Sequence, residues 1–211
     1  AVGYAAFDGN STGNNNTAVG TYSLTSNTTG TANTVLGREA GNSNTTGQYS
    51  TLIGYQAGRN QTTLGQNTHV GFQAGYYNTS AVNMTSIGYR AAHQAQGANV
   101  TAIGTQTLYS AGSGNDLVAV GTNSLFANTS GSENVAVGVE ALRLNTTASY
   151  NTAVGTEAFK RQFEGPIKGS PYETEGRLQL GTTTPESQLK EGRREAERFD
   201  REKNVIRSFS D

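Results

Sequence analysis

Along residues 1–159 one aliphatic–glycine pair returns at an almost constant interval. The glycines are Gly3, Gly20, Gly37, Gly54, Gly71, Gly88, Gly104, Gly121, Gly138 and Gly155, spaced 17 residues apart except for one step of 16 between Gly88 and Gly104. Each follows a Val, Leu or Ile: Val2, Val19, Leu36, Ile53, Val70, Ile87, Ile103, Val120, Val137 and Val154. So strict a period means one structural unit stacked ten times. A unit of 17 residues is too short for a helical repeat, which needs about 33 or more.

With the glycine at position zero, position −3 is Thr17, Thr34, Thr51, Thr68, Thr85, Thr101 or Thr152, or else Val118 or Val135. Side chains alternate along an extended chain, so −1 and −3 share a face, and both hold β-branched strand formers in most units. The run before each glycine therefore reads as a short strand. Its aliphatic residues, Val19, Leu36, Ile53, Val70, Ile87, Ile103, Val120, Val137 and Val154, are the expected core. Position +3 is always small, as in Ala40, Ala57 and Ser124, which predicts close packing. Position +4 is Leu or Phe in the outer units but Gly41, Gly58, Gly75 or Ala92 in the middle, which predicts thinner or differently packed central coils. Polar loops such as Asn27-Thr28-Thr29-Gly30 supply the turns.

The expected fold is all-β: a parallel β-solenoid or β-roll of ten 17-residue coils over residues 1–159. Each coil holds few apolar side chains against the entropy of ordering it, so burial of a second face between chains, and hence an oligomer, is expected.

Composition sharpens this picture. Apolar residues make up 34% of the chain, low enough to suggest disorder, but a disordered chain does not hold an aliphatic residue in register. Cysteine is absent, which excludes disulfides and thiolate metal sites. A net charge of −1 provides no electrostatic case for nucleic acid. Without a run of about 18 apolar residues, no membrane insertion is expected. The charges crowd into the last quarter, together with Pro166, Pro171 and Pro185. Residues 160–184 read as an irregular connector and 185–211 as a charged helical tail. A heptad frame puts Leu189, Ala196 and Lys203 at a and Gly192, Phe199 and Ile206 at d. That pattern fits either a solvated helix packing on the roll or a short coiled coil. Because the chain opens inside a repeat, it is expected to be a piece of a longer protein.

The units Asn16-Thr17-Ala18-Val19-Gly20, Val100-Thr101-Ala102-Ile103-Gly104 and Asn151-Thr152-Ala153-Val154-Gly155 resemble two related repeat groups. One is the repeat of bacteriophage tail fibres, and the other is the head β-roll of trimeric autotransporter adhesins. The 17-residue unit is longer than that of the adhesin heads and closer to the phage type. The resemblance implies a left-handed parallel β-roll, a homotrimer, and a place on a virion tail or an extracellular surface. It also implies a structural role in host attachment through a cell-surface glycan or protein receptor. Leu178-Gln179-Leu180-Gly181-Thr182-Thr183-Thr184-Pro185 is similar to a junction in phage fibres, and Ser210-Asp211 to the start of a self-cleaving chaperone. An adhesin head is the alternative, and an ice-binding solenoid with ordered Thr rows is a third.

Chemistry finds little purchase. His69 and His93 have no carboxylate in their local motifs, and before residue 200 the only aspartates are Asp8 and Asp116, too few for calcium coils. No nucleophile motif or phosphate loop stands out, so neither an enzyme nor a cofactor is expected. At +2, Glu39, Glu140 and Glu157 share the position with Gln56, Gln73 and Gln106 and face them in neighbouring coils, which predicts a polar ladder. Tyr55, Phe72 and Tyr89 at +1 form a candidate receptor or interface stripe whose ring faces would dock sugars. Asn10, Asn27, Asn44, Asn78, Asn128 and Asn145 sit in Asn-x-Thr/Ser sequons at +7. They are glycan acceptors in a secreted eukaryotic protein and turn residues otherwise.

Overall fold

The computed structural model describes residues 1–160, apart from Leu64 and Ala111, together with 178–180. The chain divides after Gly181, and all described residues belong to the first unit. They form a parallel β-solenoid with 17-residue coils and about eight complete turns. Its strands are β1 (Thr17–Val19), β2 (Thr34–Leu36), β3 (Thr51–Ile53), β4 (Thr68–Val70), β5 (Thr85–Ile87), β6 (Val100–Ile103), β7 (Leu117–Val120), β8 (Val135–Val137), β9 (Thr152–Val154) and β10 (Leu178–Leu180). They make one sheet in chain order, each pairing in parallel with the next so that equivalent repeat positions face one another. The first expected unit stacks its turn on the next coil but adds only a bridge between Val2 and Val19 to the sheet, so the ten units expected become about eight full turns. Within the connector expected to be irregular, Leu178–Leu180 joins the sheet beside β9. The expected C-terminal helix lies outside the described residues.

The aliphatic row at −1 does not form the core of the chain. Val19, Val70, Val120, Val137 and Ile53 are half-buried, while Leu36, Ile87, Ile103 and Val154 are exposed, Leu36 by 48%. The inward row is −2: Ala18, Val35, Leu52, His69, Ser86, Ala102, Ala119, Ala136 and Ala153, all buried. Alternation along a three-residue strand puts −1 and −3 on one face and −2 on the other. The inner face is the one that meets the small residues at +3, such as Ala40 and Ala57.

Positions −2 and +4 fill the same space from opposite walls. Where +4 is Leu24, Leu108, Leu125 or Leu142, −2 is alanine. Where +4 is Gly41, Gly58, Gly75 or Ala92, −2 is Val35, Leu52, His69 or Ser86. A Cβ added to Gly41 would lie 2.8 Å from Leu52 Cδ1, so the glycine is small because the opposite wall supplies the bulk. The central coils keep their width by swapping the large residue from one wall to the other.

The short step between Gly88 and Gly104 leaves the strands in phase, with Thr85 opposite Thr101 and Ile87 opposite Ile103. The missing residue is in the loop, and a side chain replaces it. In an ordinary coil the Thr45 carbonyl accepts bonds from the Thr28 and Thr29 amides at 2.8 and 3.2 Å. At the short coil the Gln96 Oε1 accepts from the Thr79 and Ser80 amides instead, at 3.0 and 3.1 Å. Gln96→Ala is therefore expected to cost about 1–2 kcal/mol in chemical denaturation. Gln94→Ala, an exposed neighbour, should stay within about 0.5 kcal/mol of the parent.

Two corners of the solenoid are tied by asparagine. Asn27 Nδ2 donates to Asn10 Oδ1 at 3.1 Å and to the Gly30 carbonyl at 3.1 Å, and Asn44 Nδ2 donates to Asn27 Oδ1 at 2.9 Å. Asn145 repeats the pattern on Asn128 at 2.8 Å, and Asn78 donates to the Ala81 carbonyl. Asn27, Asn44, Asn78, Asn128 and Asn145 are buried, and Asn10 is half-buried with its amide on Gly13. These sequon residues are therefore not glycan acceptors in the folded chain. The amide nitrogens of Asn27, Asn44 and Asn145 hold neighbouring coils together, and those of Asn10, Asn78 and Asn128 close their own turns on the carbonyl three residues on.

Candidate functional site

Two surfaces stand apart from the interior. The first is the outer face of the sheet, where the −3 threonines run beside the −1 aliphatics. Parallel in-register pairing lines up equivalent residues in two straight rows, Thr17 opposite Thr34 and Val19 opposite Leu36, repeated through β9. An apolar row of this length, with half-buried and exposed members, needs a physical explanation in a protein otherwise coated with Asn, Thr and Gly.

The second surface is the turn that follows each strand. Tyr55, Phe72 and Tyr89 do come together: successive ring centroids are 5.3 Å apart, with interplanar angles of 16° and 12°. Arg38 lies over Tyr55 at 5.9 Å, and Arg90 over Tyr89 at 5.3 Å. Stacking changes what the stripe can do. Within the stack the ring faces meet one another, and Arg90 lies beside both Phe72 and Tyr89 at 5.9 and 5.3 Å. Solvent there meets ring edges and tyrosine hydroxyls, so the expected docking of sugars onto ring faces is confined to the ends of the stack. Tyr4 is not part of this stack and meets Tyr22 edge-on at 5.4 Å.

A longer column at +5 escaped the sequence reading. Tyr76, His93, Tyr109 and Phe126 stack at 5.4, 4.9 and 5.3 Å, their planes nearly parallel throughout. Arg59 covers the Tyr76 end at 6.0 Å and Arg143 the Phe126 end at 5.6 Å. The signal was present as four ring-bearing residues one coil apart, hidden because one of them is histidine. Burial, reinforced by the Arg90 charge, lowers the His93 pKa to about 4, so the column is uncharged between its arginine ends at neutral pH.

Between the columns runs one part of the ladder expected at +2, from Glu39 to Gln73, while Glu140 and Glu157 meet Lys160 instead. Gln56 Nε2 donates to Glu39 Oε2 at 2.8 Å, Gln73 Nε2 to Gln56 Oε1 at 2.8 Å, and Arg90 Nε to Gln73 Oε1 at 2.9 Å. Arg59 closes the acidic end on Glu39 at 2.9 Å. The Gln56 amide, then Arg59 and Arg38, hold the Glu39 carboxyl below the ordinary carboxylate range. Glu39 is thus an anchored acceptor rather than a proton donor.

His69 is fully buried on β4, where its Nδ1 meets Ser86 Oγ of β5. Among the described residues no group of three His, Asp or Glu side chains is placed to hold a metal ion. Among the described residues no helix is long and apolar enough to cross a membrane. No protein-family model, curated protein or solved structure matches the chain.

Proposed function

We propose that this chain is a structural segment of a homotrimeric fibre on a virion or cell surface, of the phage tail-fibre kind, taking part in host attachment. The observation that carries the reading is the outer row of aliphatic residues from Val19 to Val154. A lone solenoid leaves that row in water, whereas copies packed about a common axis bury it, at roughly 25 cal/mol per Å² covered. Number and handedness come from the resemblance of the Asn-Thr-Ala-Val-Gly units, which implies a left-handed roll trimerising through this face. The turn side, with its aromatic columns and Gln–Arg ladder, stays outward in such an assembly. It would meet a cell-surface glycan or protein through ring edges, tyrosine hydroxyls and side-chain amides. The role is binding and spacing, not catalysis: the Ser86 hydroxyl and His69 imidazole are wholly buried, beyond the reach of a substrate.

The test is sedimentation equilibrium on the purified protein. The parent should sediment as a trimer. Ile53→Glu with Ile87→Glu places two carboxylates on the outer face; these leave a monomer's interior untouched but cost about 3–5 kcal/mol each when buried unpaired. The double variant should therefore dissociate while keeping its β circular dichroism. A monomeric parent, or a double variant that stays trimeric, overturns the reading.

A further inference from the structure

The apolar interior is broken in the middle. One buried cluster comprises Ala18, Leu24, Val35, Ala40, Leu52 and Ala57, and a second runs from Ala81 to Ala158. Between them the inward positions of β4 and β5 hold His69 and Ser86, which are register partners. The imidazole occupies a slot left by two glycines: a Cβ on Gly75 would lie 2.6 Å from His69 Nδ1, and one on Gly58 3.1 Å from Cδ2. Ser86 meets Nδ1, while Nε2 is buried without a partner. The groups packed around the ring are neutral: Leu52 from β3, Ser86 from β5, and Gly58 and Gly75 from the turns. The charged residues of these coils, Arg38, Glu39, Arg59 and Arg90, are engaged in the outer ladder and columns.

We propose that the His69–Ser86 pair is an acid-labile joint, at which the solenoid opens locally on mild acidification while the coils on either side stay closed. A proton on His69 creates a buried cation with no anion to meet it and no acceptor for Nε2–H. Each coil of a solenoid touches only its neighbours, so a weakened interface opens as its own unit rather than unfolding the whole. Burial lowers the His69 pKa to about 4 from its ordinary 6.5. A histidine depressed on folding contributes stability in full above its ordinary pKa and loses it as pH falls towards the folded value. The window is therefore pH 6.5 to about 4, and linkage predicts a roughly 20-fold loss of closed over open coils between pH 7 and 5. This inference stands apart from the proposed role in a fibre.

Hydrogen exchange on the intact protein, corrected for intrinsic rates, tests it. Between pH 7 and 5 the protection of β4 and β5 should fall by roughly 20-fold, with β1 and β8 changing little. His93, in the turn after β5, is also lowered to about 4 and adds its own response when that coil opens. The comparison is therefore made in a His93→Phe background, where the loss at β4 and β5 should persist. In that background His69→Leu with Ser86→Ala should abolish the difference, since Leu52 already sits in an equivalent slot between Gly41 and Gly58. His69→Ala, which takes the residue found at −2 in Ala102 and Ala119, serves if the combined variant does not fold. Equal loss along the whole solenoid, acid sensitivity that survives removal of both histidines, or its complete loss in His93→Phe alone overturns the proposal.

Discussion

Gly54→Ala is expected to destroy the folded solenoid, or to cost more than about 4 kcal/mol if any folded protein remains. Two independent effects coincide at this position. The backbone has φ +130°, a conformation outside both the helical and left-handed wells that L side chains occupy. The added Cβ would also lie 2.7 Å from the Gly71 carbonyl carbon, and nearer still to its oxygen. Both are main-chain atoms of the next coil, so nothing can rotate away. Every coil repeats the geometry, and moving one coil breaks its register with two neighbours. Gly41→Ala provides the contrast. Its φ is +56°, within the left-handed well, and the contact is the end of the Leu52 side chain. Ala92 already occupies the equivalent position at φ +49°, so Gly41→Ala should cost only about 1–2 kcal/mol. Thermal melts followed by circular dichroism separate the two outcomes. Comparable melting of both variants would mean that the stacked-glycine contact is not the constraint.

The same comparison explains how much of the fold the sequence revealed. The glycine row was legible because φ near +130° excludes every other residue, so the constraint is written in one letter. The strands were legible from Thr and Val, and the close packing at +3 from residues that never grow. Positions +2 and −5 also have positive φ, near +56° at Gln56 and +59° at Tyr49, but the left-handed well tolerates many side chains there. Their turns therefore left no single-letter mark. Inside and outside were misread for a related reason. The uniform aliphatic row looked like a core, whereas the true inner row mixes Ala, Val, Leu, His and Ser. Its volume is set jointly with +4, so neither position looks regular when read alone. Of the candidate site, the +1 stripe and the +2 ladder were legible by position. Ring stacking, which turns the useful faces away from solvent, was not, because periodicity places residues without orienting their planes. That the sequon asparagines point inward was not legible, because Asn favours exposed turns on average and only their hydrogen bonds and burial show it.

Asn33 is where that inward bonding is most heavily used, and Asn33→Ala should destabilise the protein by about 3 kcal/mol. Its Nδ2 donates to Asn16 Oδ1 at 3.1 Å and to the Gly47 carbonyl at 2.8 Å, while its Oδ1 accepts from the Ser50 amide at 3.0 Å. Three coils thus meet at one buried side chain. Truncation removes three hydrogen bonds at about 1 kcal/mol each. It leaves the Ser50 amide without this acceptor, although Gly47 keeps a bond from Asn44 at 3.2 Å. The neighbouring Thr34→Ala removes only an outward side chain and should change a monomeric reference by less than about 0.5 kcal/mol. One coil carries Met84 and Ala95 where this one carries Asn33 and Asn44, and both are buried. Asn33 and Asn44 do not bond each other but donate to the same acceptor, the Gly47 carbonyl. That carbonyl loses both side-chain donors only when both residues are changed, and a buried group left unpaired costs more than a lost bond. Asn33→Met with Asn44→Ala should therefore cost more than the two single changes added together, a coupling that urea titrations of the four proteins measure directly. Strict additivity would show that the two asparagines act independently and that the shared carbonyl does not couple them.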